Sequence, residues 1–156
     1  MVGLGRGDTL ARMPYSAWSS QPGPLDDLLR GAGARMHHEH GATLPADFGS
    51  SAGELAVCMR AVGIGLLDEG EDGESLAIVG PRAEELVRAS SLEDLPVVVV
   101  REALCYFLVT TPREHAREVW QRLAVAGEGL GLGYVGSTAL HNFLVQMQLR
   151  SRQTRA

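Results

Sequence analysis

The sequence predicts an α+β domain, a ferredoxin-like β-α-β-β-α-β sandwich with extra N- and C-terminal helices. Two observations lead to this prediction. From residue 75 onward, short segments with strand character alternate with segments in which apolar residues recur at helical spacing. Proline or serine stands at the start of each helical segment, as helix N-termini favour. Of the 156 residues, 45% are apolar, which is enough for one core.

In chain order, the predicted elements are helices at 24–30 and 51–62, strands at 64–67 and 75–79, a helix at 81–87, strands at 97–100 and 104–110, a helix at 112–124, a strand at 130–135 and a helix at 137–149. The valines at 97–100 predict a strand because β-branched side chains fit a pleated sheet. Ser51 and Glu54 predict a capping box. We therefore expect a flexible arm at 1–23, a single domain at 24–149 and a tail at 150–156.

The charged residues exclude several classes of function. The net charge is −5, whereas a nucleic-acid binder usually carries a basic stripe. All fourteen positive side chains are arginines, which excludes a Schiff-base lysine and a P-loop lysine. The two cysteines, Cys58 and Cys105, lie in apolar segments and are expected to be buried thiols. No apolar run is long enough for a membrane span, so a cytoplasmic location is expected.

Three local clusters resemble functional sites. The segment His37-His38-Glu39-His40 could hold a transition metal through His37 and His40 if it were helical, but a solvated loop is favoured. The five carboxylates at 68–74 could bind a hard cation weakly, yet a solvated hairpin tip is favoured. The glycines at 129–133 follow a helix and precede a strand, the reverse of a dinucleotide loop. We therefore predict neither a metal site nor catalytic residues.

Two groups of motifs, taken together, are similar to a known family. The first group is Gly33-Ala34-Arg35-Met36, Leu44-Pro45, Phe48-Gly49, Glu54-Leu55-Ala56-Val57, Arg60, Gly63 and Gly80-Pro81. The second is Cys105-Tyr106-Phe107-Leu108-Val109, then Gly131-Leu132-Gly133-Tyr134-Val135-Gly136 and Ala139-Leu140. In this order they resemble the glycine-cleavage T-protein (aminomethyltransferase) superfamily of folate-binding proteins. The chain looks like a shortened, single-domain relative.

The resemblance implies a folate-binding module that uses tetrahydrofolate as its one-carbon carrier. The candidate binding residues that it suggests are Met36, Phe48, Glu54, Arg60 and Tyr106. The family's carboxylate segment and its C-terminal domain have no counterpart in this sequence. We therefore expect a module that is non-catalytic alone, or that acts as a subunit of an aminomethyltransferase- or demethylase-type system.

Two alternatives stay open at this stage. The first is a structural or regulatory subunit without a small-molecule site, because an exposed valine run at 97–100 would favour association. In that case a homo-oligomer or a complex with a partner subunit is expected, with no contact to nucleic acid or membrane. The second is a metal-binding protein that uses His37, His38 and His40.

Overall fold

The computed structural model describes residues 23–39, 42–70 and 73–155. The elements are α1 (Asp26–Gly31), β1 (Arg35–Glu39), β2 (Ala42–Asp47), α2 (Ser51–Arg60), β3 (Val62–Gly70), β4 (Gly73–Val79), α3 (Ala83–Ala89), β5 (Val98–Ala103), β6 (Tyr106–Thr111), α4 (Ala116–Gly127), β7 (Leu132–Tyr134) and α5 (Ser137–Arg155). Short 3₁₀ turns flank α4 at Arg113–His115 and Glu128–Leu130. Almost all of the arm expected at 1–23 lies outside the described residues. None of the helices described is both long and apolar enough to cross a bilayer.

Five strands form the main sheet in the order β5-β6-β4-β3-β7. Neighbouring strands are antiparallel, except that β3 and β7 are parallel. The predicted β-α-β-β-α-β unit corresponds to β4-α3-β5-β6-α4-β7, and the α+β fold class is confirmed. The strand predicted at 64–67 corresponds to the longer β3. It lies between β4 and β7, so that both of its edges are paired and the ferredoxin-like sheet gains a fifth strand.

Helices cover both faces of this sheet. On β4, Leu76 and Ile78 belong to a large core cluster with α3 and α4, whereas Ala77 and Val79 belong to a smaller cluster with α2 and α5. Successive residues of a strand point to opposite faces, which explains the division. The helices predicted at 51–62 and 137–149 therefore pack on the second face, whereas Leu29 of α1 belongs to the large cluster on the first face. Phe143 of α5 is buried there.

The segment at 35–47 differs from the prediction. Instead of a solvated loop or a helix with chelating histidines, it forms the antiparallel hairpin β1-β2, in which His37 pairs with Leu44 and His38 with Thr43. A strand points neighbouring side chains to opposite faces, so His37 and His38 diverge. Residue 40 lies outside the described residues. Among the described residues, no three potential ligands come together as a metal site would require.

Three smaller details also differ. Helix α2 is capped by Ser50 rather than by the predicted Ser51, because Ser50 keeps an extended backbone and its hydroxyl accepts a hydrogen bond from the Gly53 amide at 3.0 Å. Helix α5 continues to Arg155, beyond the predicted start of the tail. In the acidic segment at 68–74, expected to be solvated, Glu74 is fully buried.

Candidate functional site

A cleft of about 470 Å³ opens between α5 and the strands β2 and β3. Its apolar walls are Leu44 and Leu66 on the strand side, with Leu67, and Leu140 and Leu144 on α5. Polar groups line the remainder of the cleft: His37, Ser137, Thr138, His141 and Asn142. Sites for small molecules are usually concave and largely apolar, with a few polar groups that orient the ligand. This cleft has both properties.

The polar side of the cleft joins β1 to the first turn of α5. The Ser137 hydroxyl lies 3.1 Å from Nε2 of His37, within hydrogen-bond distance. His141 follows Ser137 by one helical turn, so both side chains lie on the same side of α5. Imidazole, hydroxyl and amide groups donate and accept hydrogen bonds, and a ligand with a mixed donor–acceptor edge would match them.

A buried carboxylate fixes the start of α5 against the rest of the cleft. Glu54 of α2 is 8% exposed, and its oxygens accept hydrogen bonds from the backbone amides of Gly136 at 2.9 Å, Phe48 at 2.7 Å and Ser50 at 3.2 Å. Charge-assisted hydrogen bonds of this kind are among the stronger ones in proteins. Glu54 thus connects α2, the loop after β2 and the beginning of α5.

Close backbone contact holds the same junction. At Gly136 a Cβ atom would lie 2.2 Å from the carbonyl oxygen of Ala46, so only glycine lets α5 approach β2 this closely.

At the end of β2, Asp47 accepts hydrogen bonds from the Arg35 guanidinium and from the Gly49 amide at 2.9 Å. Mainly through the Arg35 hydrogen bond, the pKa of Asp47 falls to about 2.

The thiol of Cys58, on α2, is poorly suited to nucleophilic chemistry. Burial of Cys58, together with the charge of Glu54, raises the pKa of this thiol to about 12. A thiolate is the reactive form, so Cys58 stays protonated at neutral pH. The expectation of a buried core cysteine is confirmed for Cys58, whereas Cys105 is only half-buried.

The five residues suggested by the sequence do not line the cleft. Met36 and Phe48 pack against the large core cluster, and the Phe48 ring lies 5.7 Å from that of Tyr134. Tyr106 packs against the smaller cluster on the other face of the sheet, and Arg60 is exposed on α2. The carboxylate of Glu54 is occupied by backbone amides of its own chain. A role of these five residues in binding stays a prediction.

Sequence reasoning missed the polar residues of α5. The sequence predicts Ser137 as a helix cap and predicts no role for His141 or Asn142. Their signal was the spacing of Ser137 and His141 by four positions, beside leucines at 140 and 144 that also recur after one turn. The pairing of this helix with β1 depends on contacts between residues 100 positions apart, which no local pattern contains.

Comparisons with known proteins give only distant structural similarity. No protein-family model matches the chain, and no curated protein matches it. Among solved structures, the crystal structure of the glycine cleavage system aminomethyltransferase T from Bartonella henselae matches with 19% identity and a TM-score of 0.34. The match covers 72% of this chain and 37% of that protein, so the chain spans well under half of its length. A similarity of this size assigns the chain to no family.

Proposed function

We propose that the chain is a binding module for a folate-type one-carbon carrier such as tetrahydrofolate, and that the ligand occupies the cleft beside α5. The observation that carries the proposal is the two-sided character of this cleft of about 470 Å³, which has leucine walls and a rim of hydrogen-bonding side chains. A pterin is a flat ring with apolar faces and an edge of alternating donors and acceptors, which these walls and this rim would complement. The order of the sequence motifs is similar to that of the T-protein superfamily, which supports the same ligand class.

The module is proposed to bind without catalysing transfer. In the superfamily that the sequence resembles, a carboxylate approaches the folate nitrogen that receives the one-carbon unit. Among the described residues that line the cleft, none is acidic. The buried carboxylate of Glu54 is committed to the amides of Phe48, Ser50 and Gly136. A partner subunit of an aminomethyltransferase- or demethylase-type system would have to supply the catalytic group.

Isothermal titration of the full chain with tetrahydrofolate and with folinic acid tests the proposal. We expect saturable binding that His141→Ala weakens, because His141 is exposed and lines the cleft. Gln148→Ala, at an exposed position farther along α5, is the matched control and should bind as the parent does. No heat at millimolar ligand would contradict the proposal. Loss of binding in Arg60→Ala, with His141→Ala unaffected, would instead place the ligand near the residues suggested by the sequence.

A further inference from the structure

The Ser137 hydroxyl and the His37 imidazole meet at the polar side of the cleft beside α5. Oγ of Ser137 lies 3.1 Å from Nε2 of His37, and both side chains line the cleft. Each residue is only partly buried, so a molecule in the cleft can reach the hydroxyl. A serine hydroxyl is a weak nucleophile until a neighbouring base accepts its proton, and an imidazole within hydrogen-bond distance is such a base.

The first turn of α5 brings hydrogen-bond donors to the same place. The Leu140 amide donates to the Gly136 carbonyl, which opens the hydrogen-bond ladder of the helix. The amides of Ser137, Thr138 and Ala139 precede this ladder, and Gly136 has no side chain that could accept from them. Thr138 also lines the cleft. Backbone amides in this position stabilise the negative oxygen that develops when a carbonyl carbon is attacked.

We propose that Ser137 and His37 hydrolyse a small ester with an apolar acyl group. The five leucines of the cleft walls enclose the acyl chain. None of the described residues that line the cleft is acidic, so no carboxylate there assists the imidazole, in contrast to a complete catalytic triad. An ester is therefore the substrate class that fits, because its alcohol leaves more readily than the amine of an amide.

The reaction proceeds in two steps through an ester of Ser137. In the first step, Oγ of Ser137 attacks the carbonyl carbon and its proton passes to Nε2 of His37. The bond from that carbon to the alcohol oxygen then breaks, and the alcohol leaves with the proton. In the second step, water gives a proton to Nε2 and attacks the acyl carbon. Ser137 leaves with that proton as a free hydroxyl, and the carboxylic acid is released.

This reaction is separate from one-carbon transfer. It needs no carboxylate beside a folate nitrogen, and it can be measured without any folate. The inference therefore does not rest on the proposed ligand, although an ester and a folate would compete for the same cleft.

Labelling of the full chain with a fluorophosphonate, a reagent that modifies activated serines, tests the pair. We expect modification at Ser137, located by mass spectrometry of the peptides, and none in Ser137→Ala. His37→Gln keeps a hydrogen-bonding side chain but removes the base, and it should slow labelling by about a hundredfold. His38→Gln is the matched control, since His38 is exposed and points to the other face of β1, and it should label as the parent does.

Turnover of p-nitrophenyl butyrate measures the complete reaction. His37→Gln should lower kcat by about a hundredfold with little change in KM, because the imidazole accepts a proton in the transition state and the leucine walls are unaltered. Circular dichroism checks that each variant is folded. Absence of labelling, labelling at another serine, or labelling of Ser137 that His37→Gln does not slow would each overturn the inference. So would an ester turnover that Ser137→Ala leaves unchanged.

Discussion

Removing the carboxylate of Glu54 should destabilise the fold more than the loss of any exposed acidic group. The Glu54→Ala substitution leaves three backbone amides without their acceptor. The Gly136 amide is buried, whereas those of Phe48 and Ser50 are partly buried and can regain water. An unsatisfied buried donor costs about 1–3 kcal/mol, and each partly buried one costs about 0.5–1 kcal/mol. We expect the free energy of unfolding to fall by about 3 kcal/mol.

Urea unfolding followed by far-UV circular dichroism, at one fixed pH, measures this loss. The midpoint should fall while the dependence on urea concentration stays constant, since the same surface is exposed on unfolding. Glu54→Gln keeps one carbonyl oxygen as acceptor and should cost about half as much as Glu54→Ala. Glu85→Gln is the control: Glu85 is exposed and pairs with Arg82, so the change should stay within about 0.5 kcal/mol.

The reasoning would be refuted if Glu54→Ala cost less than about 1 kcal/mol, or no more than Glu85→Gln. Either result would show that the three amides find other acceptors at no cost. The start of α5 would then be held mainly by packing.

Three further predictions concern other parts of the same junction and the thiols. Gly136→Ala should destabilise the chain markedly in urea unfolding, whereas Gly129→Ala, whose added Cβ would meet no atom within 4 Å, should not. The folded-state pKa of Asp47 is depressed to about 2 by its arginine hydrogen bond, so its stabilisation is present above about pH 4 and is lost as pH falls toward 2. Asp47→Asn should therefore lose less stability over this range than the parent, and an equal loss would contradict the assignment. Iodoacetamide at about pH 8 should modify the half-buried Cys105 and spare the buried Cys58 in the folded protein. In denaturant, both thiols are exposed and both should react. Mass spectrometry of the peptides measures each modification, and early modification of Cys58 in the folded protein would contradict the prediction.

Several features of the fold were predictable because their signals are local. Pro81 and Pro112 predicted the starts of helices α3 and α4, which cover one face of the sheet. The valines at 97–100 predicted strand β5. Helix α2 was found within two residues of its ends. The helix cap is Ser50 rather than Ser51, because the extended backbone of Ser50 lets its hydroxyl accept from the Gly53 amide, while Glu54 accepts from the Ser50 amide.

The role of Glu54 shows what local patterns cannot supply. Its spacing from the preceding serines predicted a helix cap, and the family resemblance suggested a ligand contact. The structure adds an acceptor role toward Gly136, which is 82 residues away in the chain. The hairpin β1-β2 was missed for a related reason: the histidines of β1 lack the apolar alternation of a typical strand, and their extended conformation is stabilised by pairing with β2.

The sequence by itself determined the kinds of element from residue 51 onward and their order, because helix and strand periods and helix caps depend on neighbours within a few positions. Tertiary structure alone decided that β3 lies between β4 and β7, that α5 meets β1 to form a cleft, and that an apolar strand stands at the edge of the sheet. These features arise from pairing and packing between distant segments. Their free energy depends on which surfaces meet, and the residue pattern of a single segment does not contain that information.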